Sequence, residues 1–508
     1  MARRASERNA YRGTRFRAAA VAAALFLAVS VGGLRAAPAV TETSQSLLNA
    51  ARLKLSGGDP TAALEATRQL RGRFPDSPLL ADADSLNVEC SLALKDVYKA
   101  RFFLQRLLDS SPGSRPAYAA ALAVARFYYD SRTWLAALEY YTRAAEIFQD
   151  GRSGTRADLD LALVHAAELS TWQRNDSARA RLLFQRISGR TLPPAEAALY
   201  RQLRVRLLWS TLSAKSLGLK DENVSCFRVD GDDLWVGTWN GGVSRYSVSA
   251  GSSDPFPSPP YARSIEVADR RIWIGTTEGL SWYGKGTARW GSEENTEGHP
   301  YNVQVVRRVG GSLFAGTLGD GLLRLGDSGW EQVNDGSLPG RFVTSISEDA
   351  ARDRLLIGTM NIGLVIMDRT TGQMSTLSEL VPDFTAENIA TILPARDGRI
   401  WIGTYGEGLA VWTPETNSLR RFTKAGAEIV DDWILSSCET DRALYFGSFG
   451  GGVSVLSKAD GSWRRIGIHD GLASLDVPAI AWRPPSVFFG TLGGGVSVYD
   501  EAADGAHP

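Results

Sequence analysis

Residues that build catalytic and metal sites are scarce in this sequence. Among 508 residues it has three cysteines, Cys90, Cys226 and Cys438, and four histidines. The cysteines are far apart and fit no metal-ligand spacing, so we predict buried free thiols. We find no Ser/His/Asp arrangement, paired-carboxylate motif, HExxH or P-loop. We therefore predict no catalytic residue, no metal and no cofactor, and we interpret His165 as a packing residue of a helix.

An excess of charge of either sign is also missing. Lysine and arginine number 56, aspartate and glutamate also number 56, and the formal net charge is +0. Such a chain has no overall electrostatic attraction to nucleic acid or to an anionic membrane. Its hydrophobic fraction of 44% and charged fraction of 22% are typical of a soluble globular protein. A chain of 508 residues is longer than one ordinary hydrophobic core can include, so we expect at least two domains. Because the charge is balanced, we expect no nucleic-acid partner.

The sequence contains only one long apolar run. Residues 18–34 are uncharged and mostly apolar, six arginines precede them, and a small-residue motif follows at 37–39. This pattern predicts a secretory signal peptide at residues 1–39. An uncleaved membrane anchor is the alternative, because 17 apolar residues approach the length that spans a bilayer. Either interpretation predicts an extracytoplasmic protein, periplasmic or secreted, that contacts a membrane only through this segment.

Glycine is scarce in the first half, which favours helices. Only 11 of the 51 glycines precede Gly231, and apolar residues recur at helical spacing between residues 44 and 208. A small residue stands at one place in successive helix pairs, as close helix packing requires. These small residues are Ala63, Ala100, Ala137 and Ala178.

Further features of this half carry a family resemblance. Tyr98 and Trp134 shortly precede two of the alanines, and Pro75 and Pro112 each follow an alanine by 12 residues. With these features residues 44–208 resemble the tetratricopeptide repeat family. The resemblance implies an all-α solenoid. Its concave face would bind a peptide or helix of a partner protein, or the solenoid would merely support the second domain.

The second half repeats one phrase seven times. Two copies are LWVGTWNGGVSRY from Leu234 and IWIGTYGEGLAVW from Ile400, and successive copies are 38 to 45 residues apart. A period near 40 indicates a repeat architecture. Each copy contains two strand-like runs around a glycine-rich turn. We therefore predict an all-β, seven-bladed β-propeller at residues 209–500, followed by a tail at 501–508.

Positions that recur in every copy of the repeat predict how a blade is built. The first glycine of each copy fits a crowded backbone, and the second fits a positive φ. In blade one we predict strands at 224–229, 234–238 and 243–248. Blade seven lacks an outer strand, so we expect residues 209–216 to supply it and to close the ring. Aromatic residues two positions before the first glycine are predicted to pack between blades; they are Trp235, Trp273, Phe314, Trp401, Tyr445 and Phe488.

These repeats resemble the two-component regulator propeller family, whose units read approximately L-W-I-G-T-x-x-G-G-L-x-x-Y. The resemblance implies an extracytoplasmic sensor region. We find no transmitter or ATP-site motif in the sequence, so sensing would require a separate signalling protein as partner.

The turns between second and third strands are expected to meet at the mouth of the central channel. They define our candidate ligand-binding residues, Trp239, Asn240, Glu278, Asp320, Asn361, Tyr405, Glu407 and Phe449. Turns between blades would add Tyr301, Asp431 and Asp432. Aromatic and acidic groups together suit a cationic or carbohydrate-like partner. The alternative is structural, because turns favour polar residues in any case.

Three functional hypotheses follow from the sequence. The leading one is a non-catalytic extracytoplasmic binding or sensor protein with a protein partner and a small ligand at the propeller mouth. The second is an envelope assembly scaffold. The third is a propeller enzyme whose site is assembled from scattered loops, which a sequence motif would not reveal.

Overall fold

The protein is described here from a computed structural model. It describes residues 43–189, 192–256, 258–268, 270–294, 298–333 and 340–504. The predicted signal peptide or anchor at residues 1–39 lies outside these ranges. Within them, no helix is long and apolar enough to cross a membrane.

Nine helices precede the first strand in the described part of the chain. They pack in consecutive pairs, α1 with α2 through α7 with α8, and α9 leads into the second half. Their bounds are α1 Ser44–Ser56, α2 Pro60–Arg73, α3 Leu80–Ala93, α4 Val97–Ser110, α5 Arg115–Asp130, α6 Trp134–Ile147, α7 Arg156–Trp172, α8 Ser177–Phe184 and α9 Pro194–Leu208.

The second helix of each pair begins in the same way. Its N-cap is a short polar residue, and in three helices the cap's carboxylate accepts a backbone N–H, as Asp59 does from Ala62 at 2.9 Å. The residue four positions after each cap is a fully buried alanine, which lets the neighbouring helix approach closely. These alanines are Ala63, Ala100, Ala137 and Ala180.

The prediction for the fourth helix pair was therefore wrong in one residue. Ala178 is exposed, and Ala180 takes the packing position. The cap explains the difference, because Asp176 starts α8 and fixes the buried position four residues later. Tyr98 also does not pack inside the pair, since 86% of it is exposed.

In the described part of the chain, 27 strands from β2 to β28 build the propeller. Blades one to six have four of these strands each, and blade seven has three. Each blade is a four-stranded antiparallel sheet, and in blades one to six the strands lie in chain order from the channel outward. The bounds in blades one to three are β2 Val224–Asp230, β3 Asp233–Thr238, β4 Val243–Ser247, β5 Ser252–Phe256; β6 Ala262–Ala268, β7 Arg271–Thr276, β8 Gly279–Gly284, β9 Arg289–Glu293; β10 Val303–Val309, β11 Ser312–Thr317, β12 Leu322–Gly326 and β13 Gly329–Gln332.

The remaining blades follow the same plan, with one short helix, α10 Leu377–Leu380, after β17. Their strands are β14 Val343–Asp349, β15 Arg354–Thr359, β16 Leu364–Asp368, β17 Met374–Thr376; β18 Ile389–Pro394, β19 Ile400–Thr404, β20 Leu409–Thr413, β21 Ser418–Phe422; β22 Ile434–Glu439, β23 Ala443–Ser448, β24 Val453–Ser457, β25 Trp463–Ile466; β26 Ala479–Arg483, β27 Ser486–Thr491 and β28 Gly495–Asp500. The predicted all-α half followed by a seven-bladed propeller is confirmed.

The ring closes through a strand from the other end of the domain. Strand β1, Trp209–Leu212, pairs antiparallel with β28 and is the outer strand of blade seven. This is the closure expected from residues 209–216, and it leaves blade seven without an unpaired third strand.

The repeated glycines have the two roles predicted for them. A Cβ on the first glycine would meet the neighbouring inner strand, for example Val343 Cγ1 at 2.4 Å from Gly316. The second glycine has a positive φ in every blade, such as +84° at Gly242. The six aromatics two positions before the first glycine are all buried, as expected for packing between blades.

The helical half and the propeller share one core. Leu203, Leu207 and Leu208 of α9 belong to the same buried cluster as Tyr445 and Tyr499 of blades six and seven. Asp504, a residue of the predicted tail, is buried and accepts a hydrogen bond from Arg204 of α9 at 2.7 Å. The end of the described chain therefore fastens the two halves together.

Candidate ligand site at the mouth of the propeller

One hydrogen bond recurs in every blade and fixes the turn between its second and third strands. The hydroxyl that follows the first repeated glycine donates to the carbonyl of the second glycine at 2.8–2.9 Å, as Thr404 does to Gly408. In five blades the same hydroxyl also accepts a backbone N–H of the turn. These turns are therefore rigid supports for the side chains they carry.

Two positions per blade form a ring around the mouth. One is the first residue of the turn, and the other is the residue just before the inner strand. In five blades the N–H of the first donates to the carbonyl of the second, for example Tyr405 to Asn388 at 3.0 Å and Phe449 to Trp433 at 3.0 Å. In blade seven the matching bond runs from Leu492 to Asp476, which lies slightly before β26. The side chains at the two positions are thus held at the same end of the channel.

Apolar side chains are exposed at this ring. In the described part of the propeller, six of the eight large apolar residues that are exposed occupy these two positions. They are Trp239, Tyr261, Phe342, Met360, Trp433 and Phe449. An exposed apolar patch on a folded protein marks a binding surface more often than solvent contact alone.

Three aromatic rings of blades five and six contact each other. Trp433 lies between Tyr405 and Phe449, with ring centroids 6.0 and 6.3 Å apart. Trp433 and Phe449 are about half exposed, at 49% and 52%, while Tyr405 is partly buried. We call these three residues the aromatic wall.

One arginine of the upper channel, Arg263, lies on the side opposite the aromatic wall, and Arg307 lines the channel further from the mouth. The guanidinium of Arg263, on the inner strand of blade two, lies 4.2 Å from the ring centroid of Trp239. It also influences Tyr405 across the mouth: burial raises the pKa of Tyr405, and the Arg263 charge opposes that shift. Burial lowers the pKa of Arg263 itself.

The predicted acidic residues lie apart from this centre. Asp320 and Glu407 occupy the third position of their turns, which faces the loop entering the same blade. At the matching Gly451 a Cβ would lie 2.9 Å from Asp431 Cβ in that loop. In keeping with this, Asp320 acts electrostatically on Tyr301, which is buried in the loop before β10. The structure thus separates Asp320 and Glu407 from the aromatic candidates.

The other candidate residues are exposed at the turns. Asn240 and Asn361 hold the second turn position, where the N–H of Asn240 donates to Asp221 at 2.8 Å. Glu278 lies in the shorter turn of blade two and is exposed. Between blades, Asp431 pairs with Lys424 at 2.9 Å, and Asp432 accepts the Lys424 N–H at 2.7 Å.

Sequence analysis missed Tyr261, Arg263, Phe342 and Trp433. A signal was present, because the inner strand of each blade starts at a fully buried residue of the repeat, such as Val343 or Ile434. The residue before it belongs to the mouth, and the residue after it faces the channel. The repeated phrase contains the turn between the second and third strands, but it contains neither the residue before the inner strand nor the residue that faces the channel.

The channel below the mouth has two unlike sides. It encloses a cavity of about 190 Å³ lined by the inner strands of all seven blades. At the uppermost channel position, blades one to four contribute Ser225, Arg263, Gln304 and Thr344, whereas blades five to seven contribute Ala390, Leu435 and Pro478. At this position the polar side of the channel is therefore formed by blades one to four, and the apolar side by blades five to seven.

A buried charge cluster lies at the other end of the inner strands. Glu266 of blade two is fully buried, 2.6 Å from Arg228 and 3.7 Å from Arg307 of the adjacent blades. Burial raises its pKa, and the two arginines oppose the shift. Within the described ranges, no group of three or more potential metal ligands comes together, here or elsewhere.

The helical half has its own groove. Residues of α1, α3 and α5 enclose a cavity of about 780 Å³, with the Arg52–Asp82 ion pair of 3.0 Å on its rim. On another face, α4 and α6 expose Tyr98, Phe102 and Leu135 beside a cavity of about 410 Å³.

Comparison with protein families agrees with the propeller. The sequence profile of the family described as Two component regulator propeller matches residues 383–406, one repeat within blade five. This match lies in the second half of the chain, so the resemblance of the helical half to tetratricopeptide repeats stays a prediction. No curated protein matches the chain.

Several solved structures are similar to part of this chain. One is the extracellular domain of a protein of B. thetaiotaomicron described as a hybrid two-component system (BT3049), with 19% identity, a TM-score of 0.48 and 58% of this chain covered. Another is an extracellular domain from the same organism described as a one-component system (BT4673), with 17% identity, a TM-score of 0.46 and 59% covered. This chain spans 42% and 43% of their lengths. YCF48 bound to D1 peptide is similar over 57% of this chain and 96% of its own, with 14% identity and a TM-score of 0.44.

Proposed function

We propose that this protein is a non-catalytic extracytoplasmic binding protein that recognises its ligand or partner at the propeller mouth. The observation that carries the proposal is the ring of exposed apolar side chains on turns that a repeated hydrogen bond makes rigid. Leaving such side chains in water is unfavourable, and a bound ligand would remove them from it. The repeat that matches the regulator propeller family supports a sensing role.

The shared core gives binding a route to the helical half. Because α9, β1 and blade seven pack around one core, a ligand bound at the mouth is held on the same body as the helical half. The helical groove would then contact the separate signalling protein that completes the response. The predicted N-terminal signal or anchor supports a location outside the cytoplasm.

The test is capture from envelope extract with the full mature chain and two matched variants. The mouth variant is Tyr405→Ala, Trp433→Ala, Phe449→Ala, and the control is Tyr98→Ala, Phe102→Ala, Leu135→Ala. Each triplet removes three large apolar side chains, of which all but the partly buried Tyr405 are exposed. We expect the wild type and the control to retain a ligand or partner that the mouth variant loses. Retention by the mouth variant of everything that the wild type captures would contradict the proposal.

The second candidate function is an envelope scaffold, and one observation favours it. The exposed Tyr98, Phe102 and Leu135 form an apolar surface on the helical half. If the control variant loses the captured protein while the mouth variant keeps it, recognition belongs to that surface and the scaffold is the better description.

The location is tested separately. A reporter enzyme that is active only outside the cytoplasm, fused after residue 504, should be active with residues 1–39 present and inactive without them. Activity without residues 1–39 would contradict the predicted signal.

A further inference from the structure

The most informative residue for ligand chemistry is Arg263. Among the described residues, no carboxylate lies within 4.0 Å of its guanidinium in an ion pair, and its one specific contact is the Trp239 ring. Other arginines of the inner strands differ, since Arg228 and Arg307 share Glu266. A guanidinium presents five N–H donors in a fork that matches a carboxylate. Stacking on Trp239 leaves the donors at its edge free for such a group.

Most hydroxyls of the channel already have hydrogen-bond partners within the described part of the protein, with Ser345 as the exception. Thr344 donates to the carbonyl of Ile389 of the next blade, and Ser436 donates to that of Val477 at 2.7 Å. Ser347 and Thr391 are likewise occupied by neighbouring strands. These hydroxyls join adjacent blades, so Arg263 is the principal donor facing the upper channel.

The uppermost part of the opposite wall disfavours a strongly hydroxylated ligand, whereas Thr391, Ser436 and Ser437 of the same blades line the cavity further from the mouth. Ala390, Leu435 and Pro478 line that uppermost part, below the aromatic wall of Tyr405, Trp433 and Phe449. Sugar hydroxyls placed against these side chains would lose their hydrogen bonds to water without replacement. An apolar body would gain by the same contact. The cavity of about 190 Å³ exceeds the roughly 150 Å³ that accommodates a benzene ring in an apolar protein cavity.

We infer that the mouth binds a small organic carboxylate, with its anionic group on Arg263 and its apolar body between Trp239 and the aromatic wall. This inference rests on the proposed function, since it uses the same site. It differs from the cationic or carbohydrate-like partner predicted from the sequence, because Asp320 and Glu407 face the loops that enter their blades, whereas Arg263 lines the channel.

Calorimetric titration with defined probes tests the inference. The probes are 4-phenylbutyrate, its neutral amide, and galacturonate, which carries the same charge on a hydroxylated body. The variants are Arg263→Gln, Arg263→Lys and the control Arg245→Gln, an arginine of the third strand of blade one that pairs with Asp233 at 2.9 Å. All are measured in the full mature chain, with thermal unfolding of each variant as a check of folding.

We expect 4-phenylbutyrate to bind the wild type roughly ten- to a hundredfold more tightly than its amide, the range typical of a hydrogen bond to a charged group. Arg263→Gln should abolish this difference without changing amide binding, Arg263→Lys should keep part of it, and Arg245→Gln all of it. Galacturonate should bind more weakly than 4-phenylbutyrate.

Four results would overturn the inference. They are no binding of 4-phenylbutyrate, equal binding of acid and amide, an undiminished preference for the acid in Arg263→Gln, or tighter binding of galacturonate. The mouth variant used for capture leaves Arg263 intact. A ligand lost by that variant but indifferent to Arg263 would therefore refute the carboxylate assignment alone and leave the proposed function standing.

Discussion

Trp209, the first residue of the propeller, stacks on Tyr499 with their ring centroids 4.9 Å apart. It also stacks on Phe489 at 5.6 Å. The same residue thus begins the strand that closes the ring and covers the core shared with α9. Ring closure and attachment of the helical half are therefore one structural feature.

This relationship predicts the effect of Trp209→Ala. Losing a partly buried indole that joins two aromatic rings should lower the free energy of unfolding by about 2–4 kcal/mol. Trp172→Ala, which removes a half-exposed tryptophan from α7, is the matched control and should cost about 1 kcal/mol or less. Urea unfolding followed by circular dichroism measures both. Equal losses in the two variants would show that Trp209 does not close the ring.

The ion pair between the two halves predicts a second result. Asp504 is buried, accepts from Arg204 and from the hydroxyl of Tyr499, and lies 3.9 Å from Arg464. Asp504→Ala leaves these arginines without their carboxylate and should cost about 3–5 kcal/mol.

The double variant Arg204→Met, Asp504→Leu provides the control. Because it removes both charges and keeps apolar volume, it should be more stable than Asp504→Ala. The single variants Arg204→Met and Asp504→Leu complete a double-mutant cycle with the wild type and the double variant. A double variant no more stable than Asp504→Ala would mean that the lost packing, and not the unpaired charge, causes the damage.

Crowding at the first repeated glycine predicts a third result. A Cβ at Gly316 would lie 2.4 and 2.7 Å from methyl carbons of Val343 and Val305, so Gly316→Ala should cost about 1–3 kcal/mol. Gly286→Ala is the control, since no atom lies within 4 Å of its Cβ and its φ is not positive. That change should be neutral or stabilising by about 0.4–1 kcal/mol. Thermal unfolding distinguishes the two, and similar melting temperatures would refute the crowding.

The buried thiols predict that the reactivity of the cysteines and the stability of the fold depend on pH. Burial raises the pKa of Cys226 from 9.0 to about 12 and that of Cys90 from 9.0 to about 11. The native thiols should therefore react slowly with Ellman's reagent at pH 8, whereas the chain in urea should react rapidly. Rapid reaction of the native chain at Cys226 or Cys90 would contradict their burial.

The same shifts fix the sign of a stability effect. A thiol whose pKa is raised by folding binds its proton more tightly in the folded state. Its contribution to stability is complete below pH 9 and is lost as the pH rises towards 11–12. Between pH 8 and 10.5 the free energy of unfolding should fall more steeply in the wild type than in Cys90→Ala, Cys226→Ala. Parallel slopes would contradict this.

The fold could be predicted because each blade repeats its physical requirements. Gly316 is crowded by Val343, and the second glycine needs a positive φ, so both are visible as repeated letters. The helical half could be predicted almost as well. Its one error, Ala178 for Ala180, came from counting the period instead of counting from the cap at Asp176.

The candidate site was only partly predictable. Trp239, Tyr405 and Phe449 stand in the repeated phrase and do lie at the mouth. Arg263 and Trp433 lie outside the phrase, where neighbouring blades differ, and only the closed ring brings them opposite one another. The acidic residues were included because turn residues were treated alike, although alternate turn positions face opposite directions.

The measurement that tests the central claim most directly is ¹⁹F NMR of the full mature chain labelled with 5-fluorotryptophan, titrated with the ligand or partner recovered by capture. Trp239 and Trp433 are assigned by single substitution, and Trp172 of the helical half serves as reference. If the mouth is the recognition surface, the Trp239 and Trp433 signals shift to saturation while that of Trp172 stays in place. A saturating titration that moves Trp172 and leaves both mouth tryptophans unchanged would place recognition on the helical half and contradict the account.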